Sequence, residues 1–419
     1  MRSEPHTRQP TTAIVTLLVI CLMIAPHATG LADDAQSQPA SAPAAYEADI
    51  RAFIDELDKT YPFFELKGIR EDWQRTKAEA LQRVSICRSE AQFLQIVLDI
   101  AKCLRDAHVG LRNVNAEMPP RPPKYCPGIS FLPAQGDRVV VMYAPPTDRH
   151  ELPTGTVIET IDGEKARAYL EKRAKEAWAA GGGFSSPQRA RLFEYRTPLR
   201  GKKGAEHVIT YTRDGQIRRL VLKSESESRG WPHTYNMPKD LTRAGRSFWY
   251  AELPSKIGYM YLRRVDGNTA SGIRQALDSH PDVRGWIVDL RGNGGGGYDP
   301  KLIEQIGAMP RPVAVLIDAG CTSAGETLAR DFERAANARL FGQSTAGASS
   351  AKRTWQFPSG IASVSLPTRS RWRNDRQPIE FNGIEPHEPV EAVPEELQKG
   401  LNSCILRAEE YILRTTDRG

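Results

Sequence analysis

Two stretches of this chain carry residues able to do nucleophilic chemistry. The first, residues 312–328, reads P-V-A-V-L-I-D-A-G-C-T-S-A-G-E-T-L. A buried strand leaves through a tight Ala-Gly turn and sets Ser323 at the start of a helix, where free first-turn N–H groups and the positive dipole end favour negative charge. There Ser323 can attack a carbonyl while the N–H of Ala324 helps to hold the oxyanion. The same position also suits a plain N-cap. The second stretch, residues 286–298, reads W-I-V-D-L-R-G-N-G-G-G-G-Y, with five glycines between 292 and 297. Such a loop lets backbone come close to a ligand with its N–H groups exposed, and Gly294, Gly295 and Gly296 are candidate second donors to an oxyanion. A serine nucleophile needs a base. Of the histidines beyond residue 30, His108 stands apart, in L-R-D-A-H-V-G-L (104–111), where a long apolar helix turns into a strand. A rival reading takes Gly292, Gly294 and Gly297 as G-x-G-x-x-G with Asp318 as the ribose acid of a dinucleotide fold. Asp299-Pro300 stand against it, where that fold needs a helix under way.

The elements that must position these residues follow from periodicity. Ile50, Phe53, Ile54 and Leu57 recur at helical spacing up to Pro62, and Trp73, Ala80, Leu81 and Val84 mark a second helix. A third opens with Ser89 and Gln92 as a capping box and buries Phe93, Ile96, Val97, Ile100 and Leu104. A Pro-rich stretch at 119–127 is a boundary. Beyond it come short strands (129–132, 139–143, 156–161), a helix over 164–180, and a hairpin of 207–212 with 217–222 around Asp214-Gly215. From about 245 strands and helices alternate, as in a mixed or parallel sheet flanked by helices, with catalytic groups expected at the carboxyl ends of the strands. The expected class is α/β (mixed α+β, multidomain): a signal peptide at 1–30, a flexible lead-in at 31–45, a helical region at 46–118, a β-rich module at 125–225 and a core at 245–415.

The 419 residues, 40% hydrophobic and 26% charged, exclude a mostly disordered chain or a disulfide-dense miniprotein. A formal net charge of +6 without a dense Lys/Arg block argues against nucleic acid as a partner. Arg2 and Arg8 precede the apolar run Ala13–Ala25, followed by small residues near Gly30 or Ala32 and then Asp33-Asp34, the layout of a secretory signal. The run is shorter than the roughly 20 residues that span a bilayer, so the expected protein is secreted or periplasmic, with no stable membrane span after cleavage. Cys87, Cys103, Cys126, Cys321 and Cys404 remain beyond the leader; they are odd in number, hold no C-x-x-C, and leave a Cys87–Cys103 bridge open.

Taken together the segments resemble the tail-specific (C-terminal processing) serine protease family, which includes the tricorn protease. The resemblance rests on D-L-R-G-N-G-G-G at 289–296, T-S-A-G-E at 322–326 and G-Q-S-T-A-G-A at 342–348, with L-R-D-A-H-V-G-L and I-E-F-N-G-I-E-P-H-E-P-V (379–390) alongside. G-T-V-I-E-T-I-D-G at 155–163 looks like a PDZ interior, and Gly128, Ile129, Ser130 and Phe131 resemble the loop that binds a peptide's terminal carboxylate. The family's Ser–Lys arrangement is absent in register, because Ala348 stands at the lysine position and Lys352 comes four residues late. The tricorn branch's Ser–His–Glu arrangement is matched: the resemblance implies Ser323 as nucleophile, His108 as base and then acid, and Glu380 as the group orienting the imidazole. His387 stands where the family commonly has aspartate and offers a competing base. The stretch between the glycine loop and Ser323 is also shorter than in many relatives. By this resemblance the chain is an exported serine peptidase, free of cofactor and metal, that cleaves unstructured segments or C-terminal tails through an acyl-enzyme. The alternatives are an inactive peptide-binding scaffold of the same fold and a nucleotide-dependent oxidoreductase. Oligomeric state is not readable.

Overall fold

Apolar residues at helical spacing build the first layer. Helices α1 (Ala42–Thr60), α2 (Arg70–Ser85) and α3 (Glu90–Cys103) bury Ile50, Phe53, Leu57, Trp73, Val84, Phe93, Val97 and Ile100 against one another. The computed structural model describes residues 42–120, 123–227, 236–370, 372–374 and 377–417, and the leader expected at 1–30 lies outside them. Helix α1 starts inside the stretch expected to be a flexible lead-in, with Pro43 in its first turn, where a missing N–H costs nothing. At α3 the Ser89 Oγ accepts the Gln92 N–H at 3.3 Å, but Gln92 Oε1 takes the N–H of Arg88 at 2.8 Å, so the expected box is displaced by one residue. The chain then turns at Arg105, in the left-handed region at φ 45°, and enters strand β1 (Gly110–Arg112).

The next layer is a six-stranded sheet. Strands β2 (Ser130–Ala134), β3 (Arg138–Tyr143), β4 (Val157–Ile161), β5 (Glu206–Arg213) and β6 (Gln216–Lys223) lie in that spatial order, and Glu164–Lys165 pairs onto β4. Asp214 and Gly215 both have positive φ (51° and 72°), the geometry of a two-residue hairpin turn that matches strand twist. Helix α4 (Ala166–Ala179) packs on this sheet. A second helix, α5 (Pro187–Arg196), lies along β2. It was not expected from periodicity, though Ser186 as cap followed by Pro187 is a start signal.

The core sheet takes up the rest. Its spatial order is β7 (Thr242–Arg243), β8 (Phe248–Glu252), β9 (Gly258–Leu262), β10 (Trp286–Asp289), β11 (Val313–Ile317) and β12 (Arg339–Gly342), with parallel pairing from β9 to β12. Alternate residues point to opposite faces. Val313, Val315 and Ile317 join a core with α6 (Thr269–Ser279), α7 (Leu302–Gly307) and α8 (Ala324–Ala335). Ala314 and Leu316 meet Cys404, Ile405 and Ala408, beyond a short α9 (Pro394–Gln398) on α10 (Ser403–Thr416). A hairpin of β13 (Ser350–Gln356) and β14 (Ser363–Ser370) leaves the core, pairs with β1 and packs Phe357, Val364 and Leu366 into the α1–α3 cluster. A last strand, β15 (Glu388–Pro389), pairs parallel with β12. The hairpin positions the site, because it ties the turn before β1 to the core. Among the described residues all five cysteines are free thiols, four of them buried, and no helix is long and apolar enough to cross a membrane.

Candidate active site

Ser323 stands just past the carboxyl end of β11, at the first position before α8, with φ 54° and ψ −119°. A serine with positive φ is strained and persists only where its surroundings over-determine it. Here they do. Its N–H donates to the Ala348 carbonyl at 2.8 Å and to Glu326 Oε2 at 3.1 Å. Glu326 is fully buried and also accepts from Thr345 Oγ1 at 2.6 Å, Gly347 N at 2.8 Å and Ala348 N at 3.0 Å. One carboxyl therefore fixes the Ser323 turn to the 345–348 loop, and burial, opposed by those four hydrogen bonds, pushes its pKa up to about 7.

The glycine loop reaches the same place. Gly295 has φ 73°, and a Cβ there would lie 2.8 Å from Ser323 Cβ and 3.2 Å from Ala324 N, so only glycine allows this approach. The expected oxyanion donors must be narrowed. The N–H of Gly294 donates to Arg263 O at 3.1 Å and that of Gly295 to Asn293 Oδ1 at 2.9 Å, because the loop satisfies its own buried backbone. Among the described residues, Ala324 and Gly296 are the candidates whose N–H has no protein acceptor. The dinucleotide reading fails here too. Asp318 Oδ1 accepts the N–H groups of Gly292 at 2.8 Å and Gly320 at 2.9 Å, which spends the presumed ribose acid on the turn.

His108 is buried on the turn before β1, where its own N–H donates to Asp106 Oδ1 at 2.8 Å. Its Nδ1 lies 3.1 Å from Ser350 Oγ and 4.0 Å from Asp106 Oδ1. Burial, opposed by Asp106 and aided by Lys352, Lys67 and Arg112, lowers its pKa to about 4, so the ring is neutral at neutral pH.

Glu380 was expected to orient the imidazole; among the described residues no hydrogen bond or ion pair joins the two. Glu380 Oε2 accepts the Ser349 N–H at 2.9 Å, Oε1 lies 2.9 Å from Lys67 Nζ, and the groups beside the ring are Ser350 and Asp106. Burial and the neighbouring Asp106, opposed by Lys67, push Glu380 up to about 8. The three candidates nevertheless converge on consecutive residues: Ala348 touches Ser323, Ser349 touches Glu380 and Ser350 touches His108.

The two competing bases differ in where they stand. His387 Nδ1 accepts the N–H of Leu340, near the amino end of β12, and its Nε2 faces Glu333 at 3.4 Å, whereas Ser323 lies beyond the carboxyl end of the neighbouring parallel strand. Lys352 is exposed on β13 after a register shift. The expected carboxylate loop is also altered in detail. Ile129 and Phe131 are buried in the sheet's own core and Ser130 Oγ donates to Arg196 O at 2.7 Å, so in this segment, with Gly128 at its head, main-chain groups alone are left for a peptide. Beside β2 and α5 a cavity of about 380 Å³ opens, lined by Phe131, Pro133, Gln188, Leu192, Gln343 and Glu385. Among the described residues no group of three or more His, Cys, Asp or Glu is arranged to hold a metal ion.

The model of the family described as peptidase family S41 matches residues 256–309 and 301–390, which include the glycine loop, Ser323 and Glu380. Over residues 256–390 the chain is similar to the S41 peptidases. It is 23% identical over 223 residues to the carboxy-terminal processing protease CtpA of Bacillus subtilis (strain 168), a match taking in 46% of this chain and 44% of that protein. The chain thus spans less than half the length of that S41 relative. Among solved structures, mature CPAF complexed with lactacystin superposes with a TM-score of 0.57 at 14% identity, covering 89% of this chain and 98% of that one. A protein from Parabacteroides merdae ATCC 43184 superposes at 0.51 with 16% identity, covering 90% and 99%. These likenesses show that the chain shares its fold with those two proteins.

Sequence reasoning missed Asp106, Glu326, Ser350 and Lys67. The first two lie inside segments already singled out, as the acid of D-A-H and the acid of T-S-A-G-E. Lys67 gives no local signal, since its partners are at positions 106 and 380.

Proposed function

We propose that this chain is a serine peptidase, exported with the help of residues 1–30, that cleaves peptide bonds in unstructured segments or C-terminal tails. The observation that carries the reading is the meeting of Ser323, Glu380 and His108 on residues 348, 349 and 350. With Nδ1 of His108 facing the Ser350 hydroxyl, Nε2 is left to serve Ser323. Ser323 Oγ attacks the scissile carbonyl carbon as His108 takes its proton, and the negative oxygen rests on the N–H groups of Ala324 and Gly296. His108 then protonates the leaving amine, and water, deprotonated by the same imidazole, hydrolyses the ester. Asp106 stabilises the imidazolium from the nearer side, and Glu380 anchors the 348–350 strand. The 125–225 module acts as a PDZ-like tether that holds a tail along β2 and the cavity beside α5, by strand addition. The name of the Bacillus subtilis relative, a carboxy-terminal processing protease, accords with that substrate class.

Cleavage of an unstructured peptide tests this. Ser323→Ala and His108→Ala should collapse turnover equally, with His387→Ala near wild type. Full activity in His108→Ala contradicts the assignment. One observation favours a second reading, a scaffold that holds peptides without turnover: among the described residues no hydrogen bond joins Ser323 Oγ to His108. Tail binding unchanged by Ser323→Ala, with no cleavage by either form, supports that reading.

A further inference from the structure

A buried cation lies behind the site. Lys67, from the connection between α1 and α2, has a fully buried side chain. Its Nζ lies 2.9 Å from Asp106 Oδ2, 2.9 Å from Glu380 Oε1, 2.9 Å from the Arg105 carbonyl and 3.2 Å from Tyr61 Oη. Tyr61 Oη in turn donates to Asp106 Oδ2 at 3.0 Å, and the Ser185 hydroxyl bonds both Glu380 and the Ala107 N–H. Burying an ammonium is costly unless it is paired. Placing two carboxyls side by side without a cation forces a proton onto one of them.

We propose that Lys67 is a positioning residue of the Ser323 site: its ammonium ties Asp106 to Glu380 and, through the Asp106 turn, fixes the placement and the electrostatic field of His108. The inference rests on the serine-peptidase reading and adds to it a residue outside the matched core. Asp106 uses its two oxygens differently. Oδ2 is held by Lys67 and Tyr61, while Oδ1 accepts the His108 N–H and faces the ring. Lys67 therefore decides where Oδ1 points. The charged groups facing His108 are Asp106 on its own turn, Lys67 from the α1–α2 connection, Lys352 from β13 and Arg112 from β1, with Glu380 behind Lys67. Asp106 favours the protonated imidazole and the three cations oppose it. With Glu380 pushed up to about 8, the proton of the carboxyl pair rests there in the acid range, so Asp106 keeps its charge when Lys67 is removed, His108 becomes easier to protonate, and the acid limb of its reactivity moves to higher pH.

The test uses the full chain and a fluorophosphonate probe, with the second-order rate of Ser323 labelling followed from pH 4 to 9 and Ser323→Ala as background. In Lys67→Met the acid limb should move up, so that the rate at pH 4.5, relative to the variant's own plateau, falls about twofold below wild type. Lys67→Arg, which keeps the charge, should retain the wild-type limb. If Lys67→Met does not fold, as judged by near-UV circular dichroism, Lys67→Met/Glu380→Gln removes the cation together with the second carboxyl and carries the same expectation. A folded variant with an unchanged limb, whatever its plateau, overturns the inference, as does an equal shift in Lys67→Arg. Absence of labelling in the wild-type chain overturns the serine-peptidase reading instead, so the two failures are distinct.

Discussion

The N–H of Ser323 donates to the carbonyl of Ala348 over 2.8 Å. That contact joins the strained serine turn to the strand that holds the other two candidates. Ala348 stands where a lysine would sit in the family's dyad arrangement. Its backbone here braces the proposed nucleophile, while the proposed base comes from a turn more than two hundred residues earlier in the chain.

A neutral His108 sets the pH behaviour. Because burial lowers its pKa to about 4, the acid limb of kcat/KM should lie well below the ordinary histidine value. At pH 5.5 a base of pKa about 4 keeps nearly its full rate, whereas one of about 6.5 keeps about a tenth. Stability follows the same sign. The folded chain binds fewer protons at His108 than the unfolded one between the ordinary value and about 4, so this group's contribution weakens as pH falls through that window. A kcat/KM profile with its limb near the ordinary value contradicts the burial argument.

Ser350 orients the ring. Its Oγ lies 3.1 Å from His108 Nδ1, so Ser350→Ala removes that partner and leaves Asp106 at 4.0 Å as the nearest anion. Removing such a hydrogen bond costs about 1 kcal/mol, and kcat should fall by roughly fivefold to tenfold with KM little changed. A KM effect with unchanged kcat places Ser350 in substrate binding instead.

Much of this fold was legible before the structure. The buried strands and amphipathic helices of the core follow their apolar periods, and the Ser323 turn follows from small residues between a buried strand and a helix. Helix α5 was not legible because its buried face, through Ala190, Leu192 and Tyr195, is interrupted by arginines that pair with Glu171 or cap the Ala319 carbonyl. The β13–β14 hairpin was missed because only alternate residues of β13 are shielded, by helices far away in sequence. Glu380 was legible as an acid of the candidate site, but its hydrogen-bond and ion-pair partners, Ser349 and Lys67, were not. A motif gives a residue's position along the chain, but the cation that faces it, Lys67, arrives through tertiary packing alone.

Glu326 should be intolerant of amide replacement. All four of its contacts come from donors, and whichever way a glutamine turns, its NH2 faces two of them. Each buried donor left without an acceptor costs about 1–3 kcal/mol. Glu326→Gln should lower Tm by several degrees and slow labelling of Ser323 more than tenfold. Wild-type labelling in that variant contradicts the view that Glu326 holds the serine turn.

The account depends most on Ser323 being an activated nucleophile. The direct measurement is labelling of the purified chain with a fluorophosphonate, followed by mass-spectrometric mapping of the modified residue. A single adduct on Ser323, lost in both Ser323→Ala and His108→Ala, is the predicted result. An unlabelled Ser323 in a chain that still cleaves peptide, or an adduct mapped to another residue, contradicts it.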